Sequence, residues 1–156
     1  LKAGADKVSV NSSAVQRPDL LNEISARFGN QCLVLGLDAT WLDGQWLVFT
    51  HGGRTPTGRQ AIDWAKEAEQ RGAGEILLTS MRKDGTKSGF DIQLTTAISD
   101  ATNIPIIASG GAGKIEDFAE IFHIADAALA ASIFHFGEIP IPELKQTLRT
   151  QKIAIR

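Results

Sequence analysis

Residues 105–122 read Pro-Ile-Ile-Ala-Ser-Gly-Gly-Ala-Gly-Lys-Ile-Glu-Asp-Phe-Ala-Glu-Ile-Phe. The apolar run from Pro105 to Ala108 does not alternate with polar residues, which is how a strand covered on both faces reads. Ser109-Gly-Gly-Ala-Gly113 then allows a tight turn, and Ile115 to Phe122 carries apolar residues at helical spacing. The stretch is therefore one strand–loop–helix unit of a parallel α/β sheet.

The unit recurs in both directions. Apolar strands are expected at 7–11, 32–38, 75–80, 105–109 and 127–132. Helices are expected at 18–28, 57–71, 90–101, 115–122 and 140–150, several closed by glycine or opened by proline. Short joints of Gly, Ala and Asp precede three of the strands, as at Ala3-Gly-Ala-Asp6, Gly72-Ala-Gly74 and Ala125-Asp126. Small residues suit tight helix-to-strand turns. Trp41 to Phe49 interrupts the rhythm and reads as a hairpin turning at Asp43-Gly44. The expected organisation is one domain over 1–156, with a hairpin-bearing loop insertion at 39–53.

Composition bounds the function. The 156 residues are 43% hydrophobic and 22% charged, enough apolar surface for a core. Sixteen basic and eighteen acidic residues give a net charge of −2, which argues against a general grip on nucleic acid. No apolar run is long enough to span a bilayer, so no membrane is expected. A single cysteine, Cys32, excludes an intrachain disulfide and fits a reducing, cytoplasmic setting. Cys32 reads as a core residue at the start of a strand. His51, His123 and His135 form no metal-ligand spacing, so neither a metal nor another cofactor is expected.

Polar residues gather where the strands end. They are Asn11-Ser12, Asp38, Ser80 leading to Asp84-Gly-Thr86, Ser109-Gly-Gly111-Ala112 and Ser132. Parallel strands bring such ends to one face. Glycine loops ahead of a helix let backbone N–H groups approach an anion, although a ligand-free turn has the same sequence. Asp38 and Asp84 at neighbouring strand ends would suit proton transfer.

Together these motifs resemble the cyclase subunit family of imidazole glycerol phosphate synthase. The segments that carry the likeness include Ala3 to Asn11, Leu37-Asp-Ala39, Gly72 to Ser80, Asp84-Gly-Thr-Lys-Ser-Gly-Phe-Asp91, Ile107 to Gly113 and Asp126 to His135. The resemblance implies a (βα)8 barrel of histidine biosynthesis that uses ammonia from a glutaminase partner to close an imidazole ring on a bisphosphorylated ribotide. It implies catalytic roles for Asp38 and Asp84. It implies phosphate contacts at Asn11, Ser12, Gly85, Thr86, Gly111, Ala112 and Ser132. Lys7 and Glu75 would belong to a charged ring where ammonia enters, and Asp6 and Gln31 would face the glutaminase.

The same comparison sets the fold expectation: a partial TIM-type barrel, about strands 4 to 8, from the C-terminal part only and completed by self-association as a homodimer. The family's other catalytic aspartate lies on its first strand, so the chain alone is expected to be impaired or inactive. The alternative is a phosphate-binding module or assembly piece without turnover. Arg82 departs from the family pattern, which has an acidic residue at that position. A guanidinium there would hold phosphate or block the mouth.

Overall fold

A computed structural model describes residues 1–156. The chain opens with β1 (Val8–Val10), the short helix α1 (Ser12–Gln16) and α2 (Asp19–Phe28). A 3-10 turn at Asn30–Cys32 leads into β2 (Leu33–Leu42), followed by β3 (Gln45–Thr50) and β4 (Thr55–Gln60). Three strand–helix pairs complete the alternation: α3 (Ala61–Gln70) with β5 (Glu75–Ser80), α4 (Ile92–Ser99) with β6 (Ile106–Ser109), and α5 (Ile115–Ile121) with β7 (Ala127–Leu129). The helices α6 (Ser132–His135) and α7 (Ile141–Thr150) follow.

All seven strands belong to one sheet, ordered β4-β3-β2-β5-β6-β7 with β1 also on β2. The pairs β1–β2, β2–β5, β5–β6 and β6–β7 are parallel, whereas β2–β3 and β3–β4 are antiparallel. The fold is TIM-barrel-like α/β, with seven strands running through the chain. That corrects the expectation of a five-stranded partial barrel, confined to the C-terminal part and dependent on self-association for completion. The reason lies in β2 to β4. The β2 strand runs four residues past Asp38, and its partner β3 pairs in turn with β4. β4 is Thr-Pro-Thr-Gly-Arg-Gln with no buried residue. A search for strands apolar on both faces passes over such a segment. For the same reason the helix expected from Thr57 begins only at Ala61.

Strand register decides which side chains meet. One face of the sheet carries Leu33, Leu35, Leu37, Ile76, Leu78, Ile106 and Ala108, all buried in a single hydrophobic cluster with the helices. Trp64, Leu94, Phe118 and Leu148 are the helix side of that cluster. The other face holds the row Asp38–Thr79–Ser109–Leu129, paired in register across four strands. Polar side chains are thus delivered to the strand ends on the face that the helices do not cover. Cys32 sits half-buried in the 3-10 turn rather than in the core. No helix is long and apolar enough to cross a membrane.

Candidate functional site

Asp38 lies near the middle of the long strand β2, but one residue before the end of its parallel pairing with β5. Asn11, just beyond β1, bends over β2 because residue 36 is glycine. A Cβ at Gly36 would stand 3.1 Å from the Asn11 Cβ. Asn11 Nδ2 donates to Asp38 Oδ2 at 3.0 Å. The other amide atom, Asn11 Oδ1, is buried without a hydrogen-bond partner. Burial raises the Asp38 pKa above the ordinary 3.8, the Asn11 hydrogen bond opposes that rise, and the charge of Asp84 adds to it. A carboxyl shifted this way can release or take up a proton closer to neutral pH than a solvated one.

The loop after β5 is built on backbone hydrogen bonds. The N–H groups of Lys83 and Asp84 both donate to the Ser80 carbonyl, at 3.1 and 2.9 Å. Thr86 Oγ1 donates to the Lys83 carbonyl at 2.7 Å and lies 2.8 Å from Ser88 Oγ. At the base of the loop, Ser80 Oγ donates to Asp91 Oδ2 at 2.6 Å, while Asp91 Oδ1 accepts from the Leu94 N–H at 3.1 Å. Asp91 is therefore the buried N-cap of α4 and an anchor for the loop. Sequence reasoning gave it no role, although an aspartate just before the apolar stretch Ile92-Gln-Leu94 is a helix-start signal.

The loop packs against the glycines after β6. Gly111 has φ +104°, and a Cβ there would fall 2.2 Å from the Gly89 carbonyl oxygen. Only glycine fits, and the close approach is closed by the Gly89 N–H donating to the Gly111 carbonyl at 2.8 Å. Asp117 Oδ2 holds the end of the second loop by accepting from the Gly113 and Lys114 N–H groups, at 2.8 and 3.0 Å. Between the two loops and the end of β7 lies a cup of about 170 Å³. Asp84, Gly85, Gly111, Ala112 and Ser132 all line it.

The remaining expected residues lie elsewhere. Thr86 turns its hydroxyl back into its own loop and does not line the cup. Asn11 contacts Asp38, and Ser12 Oγ accepts from the His51 N–H at 2.9 Å. Lys7 and Glu75 form an ion pair of 2.5 Å at the opposite, amino end of the strands. Asp6 and Gln31 are exposed. Arg82 stands outside the cup. His51 Nδ1 lies 3.1 Å from Thr50 Oγ1, while His123 and His135 are exposed on the surface. No group of three or more His, Cys, Asp or Glu side chains is placed to hold a metal ion.

Comparison with known proteins gives the family. The imidazole glycerol phosphate synthase subunit HisF of Halalkalibacterium halodurans is 56% identical over 160 residues, covering all of this chain and 64% of the relative. The subunit of the same name from Pyrococcus furiosus is 56% identical over 157 residues, covering all of this chain and 62% of the relative. That of Lysinibacillus sphaericus is also 56% identical and is covered to 64%. The chain thus spans a little under two thirds of the length of these relatives. Residues 1–140 match the family described as histidine biosynthesis protein, and the chain belongs to that family.

Proposed function

We propose that the chain binds a phosphorylated ribotide through the cup between the 84–89 and 110–113 loops, as part of a cyclase of the imidazole glycerol phosphate synthase type. The observation that carries this reading is the cup itself. It is lined by Gly85, Gly110, Gly111 and Ala112, which bring little more than backbone to it, and by Lys87 and Ser132. Small residues leave N–H groups free to approach phosphate oxygens. Asp84 at the edge disfavours a crowd of negative charge. It suits a ligand that carries its phosphate on a neutral sugar, whose hydroxyls can donate to the carboxylate.

A second reading concerns turnover, and the raised pKa of Asp38 favours it. In that reading Asp38 exchanges a proton with the ribotide during ammonia-dependent ring closure, and Asp84 tunes it through charge. Asn11 orients the Asp38 carboxyl, and Ser12 joins it at the mouth as a further phosphate contact, with Thr86 contributing through its loop. Lys7 and Glu75 would guard the ammonia entrance, and a glutaminase subunit would dock beside Asp6 and Gln31. A homodimer is also part of the proposal, because Leu77, Ile107 and Leu129 are incompletely buried on the face away from the helices.

Calorimetry with a ribose phosphate tests the binding reading. Saturable binding to the full chain that is weakened in Ser132→Ala supports it, and binding unaffected by that change removes it. A cyclase assay with external ammonia tests the second reading. Turnover abolished by Asp38→Asn supports the role of Asp38, and turnover retained in that variant refutes it. Light scattering measures the oligomer.

A further inference from the structure

A second hollow lies behind the first, on the outer side of the 82–89 loop. Its volume is about 750 Å³, and it runs between that loop, the start of α4 and the exposed side of α5. Small-molecule sites commonly occupy about 300–1,000 Å³. Only two of its twelve lining residues are hydrophobic, Phe90 and Ile92, so an apolar ligand gains little there.

The charged groups that face into the hollow from its exposed surface are mostly cations. Arg82, Lys83, Lys87 and Lys114 all line it. Lys87 is neutralised by Glu138, at 2.6 Å. Arg82, Lys83 and Lys114 take part in none of the ion pairs of the structure. Lys83 reaches only neutral partners, the Ser88 carbonyl and hydroxyl, each at 3.3 Å. The acids match the remaining cations in number, but two of the three are turned into the protein. Asp91 and Asp117 are buried, and their hydrogen bonds go to Ser80, to backbone N–H groups of α4 and to the Gly113–Lys114 backbone. Glu120 is the one exposed carboxylate on the wall. The hollow carries no net charge once the Lys87–Glu138 pair is set aside, but the charged groups that an entering ligand meets are Arg82, Lys83 and Lys114 against the single exposed carboxylate of Glu120.

We propose that this outer cleft is a second anion site, which takes a phosphoryl group of a small polar metabolite on Arg82, Lys83 and Lys114. Arg82 supplies the planar fork that matches phosphate oxygens, and the two lysines supply point charges. Arg82 thereby acquires a place: it faces this cleft and not the strand-end cup. The two sites share a wall, because the loop that carries Arg82 and Lys83 on one side carries Asp84 and Gly85 on the other. An anion in the cleft therefore holds the loop that shapes the cup.

Two-dimensional amide NMR of the full chain, titrated with inorganic phosphate at constant ionic strength, separates the sites. Saturable shifts are expected at Gln93 and Glu120, which line only the cleft, independently of shifts at Gly111 and Ser132, which line only the cup. Arg82→Ala and Lys114→Ala should each weaken the Gln93 and Glu120 response roughly tenfold. The unaltered remainder of the spectrum reports that each variant is folded. Absence of saturable shifts at Gln93 and Glu120 overturns the proposal, as does a response that neither substitution weakens. Shifts at the cleft without shifts at the cup would support the outer site while removing the cup reading.

Discussion

Replacing Asp38 by asparagine should stabilise the protein at neutral pH. The ionised carboxylate is half-buried, faces the charge of Asp84 and gains one compensating hydrogen bond from Asn11. Asn11 Oδ1, meanwhile, is a buried acceptor with no donor. An asparagine at position 38 keeps an oxygen to accept from Asn11 Nδ2 and brings an NH2 group to supply the missing donor. Leaving a buried polar atom unsatisfied costs about 1–3 kcal/mol, and part of that is recovered when it finds a partner. The site is partly open to water, so the lower end applies, and a gain of about 1 kcal/mol is expected. For a chain of this size that corresponds to ~2–4 °C in Tm. The pH dependence is the sharper signature. Folded Asp38 holds its proton more tightly than the unfolded residue, whose pKa is 3.8. Between that value and the raised folded one, the native state binds more protons than the unfolded chain. The parent therefore loses stability as pH rises through that window, and the loss is constant above it. The variant does not titrate there. Its advantage should be near zero below pH 3.8 and grow to its full size above the folded pKa. Urea unfolding of both proteins across that range measures the difference. A variant less stable than the parent at pH 7 would refute the reasoning, as would an advantage that does not change with pH.

Three further substitutions test the scaffold of the site. Gly111→Ala places a methyl 2.2 Å from the Gly89 carbonyl and forces alanine to φ +104°. It should cost about 3 kcal/mol or more in urea unfolding, as backbone strain and overpacking add. Asp91→Ala removes the cap of α4 and leaves the buried Ser80 hydroxyl unpaired. A loss of about 2–3 kcal/mol is expected, with faster amide exchange through the first turn of α4. Lys7→Ala breaks the ion pair with Glu75, but the lysine is 51% exposed. Its effect on stability should stay under about 1 kcal/mol and shrink in high salt, as chemical denaturation at two ionic strengths will show.

How much of this was legible in the residues differs between parts of the molecule. The parallel strands announce themselves through apolar runs such as Leu33-Val-Leu-Gly-Leu37, buried throughout, and Ile106-Ile-Ala108, where Ile107 is apolar although only half-buried. β4 does not, because its six residues contribute backbone to the sheet while their side chains stay outside the core. An antiparallel extension can be held by main-chain bonds alone, and those carry no side-chain signature. Of the two strands beyond the five apolar runs, β3 is the second arm of the hairpin read at Trp41–Phe49, and β4 is the one the sequence did not show. The site divides in a similar way. The glycine at 111 could be read as a tight turn because its value lies in lacking a side chain, a property visible in the sequence itself. The place of Thr86 could not. Its hydroxyl could serve a ligand or its own loop, and the 2.7 Å bond to the Lys83 carbonyl decides for the loop. Arg82 is the clearest example of what sequence leaves open. Its neighbour Asp84 turns toward the cup, yet Arg82, two residues earlier in the same turn, faces the outer cleft. The turn that closes on the Ser80 carbonyl sorts the two charges to opposite sides. A motif two residues apart thus serves two surfaces, and the charge that looked like an intrusion into one site belongs to the wall of another.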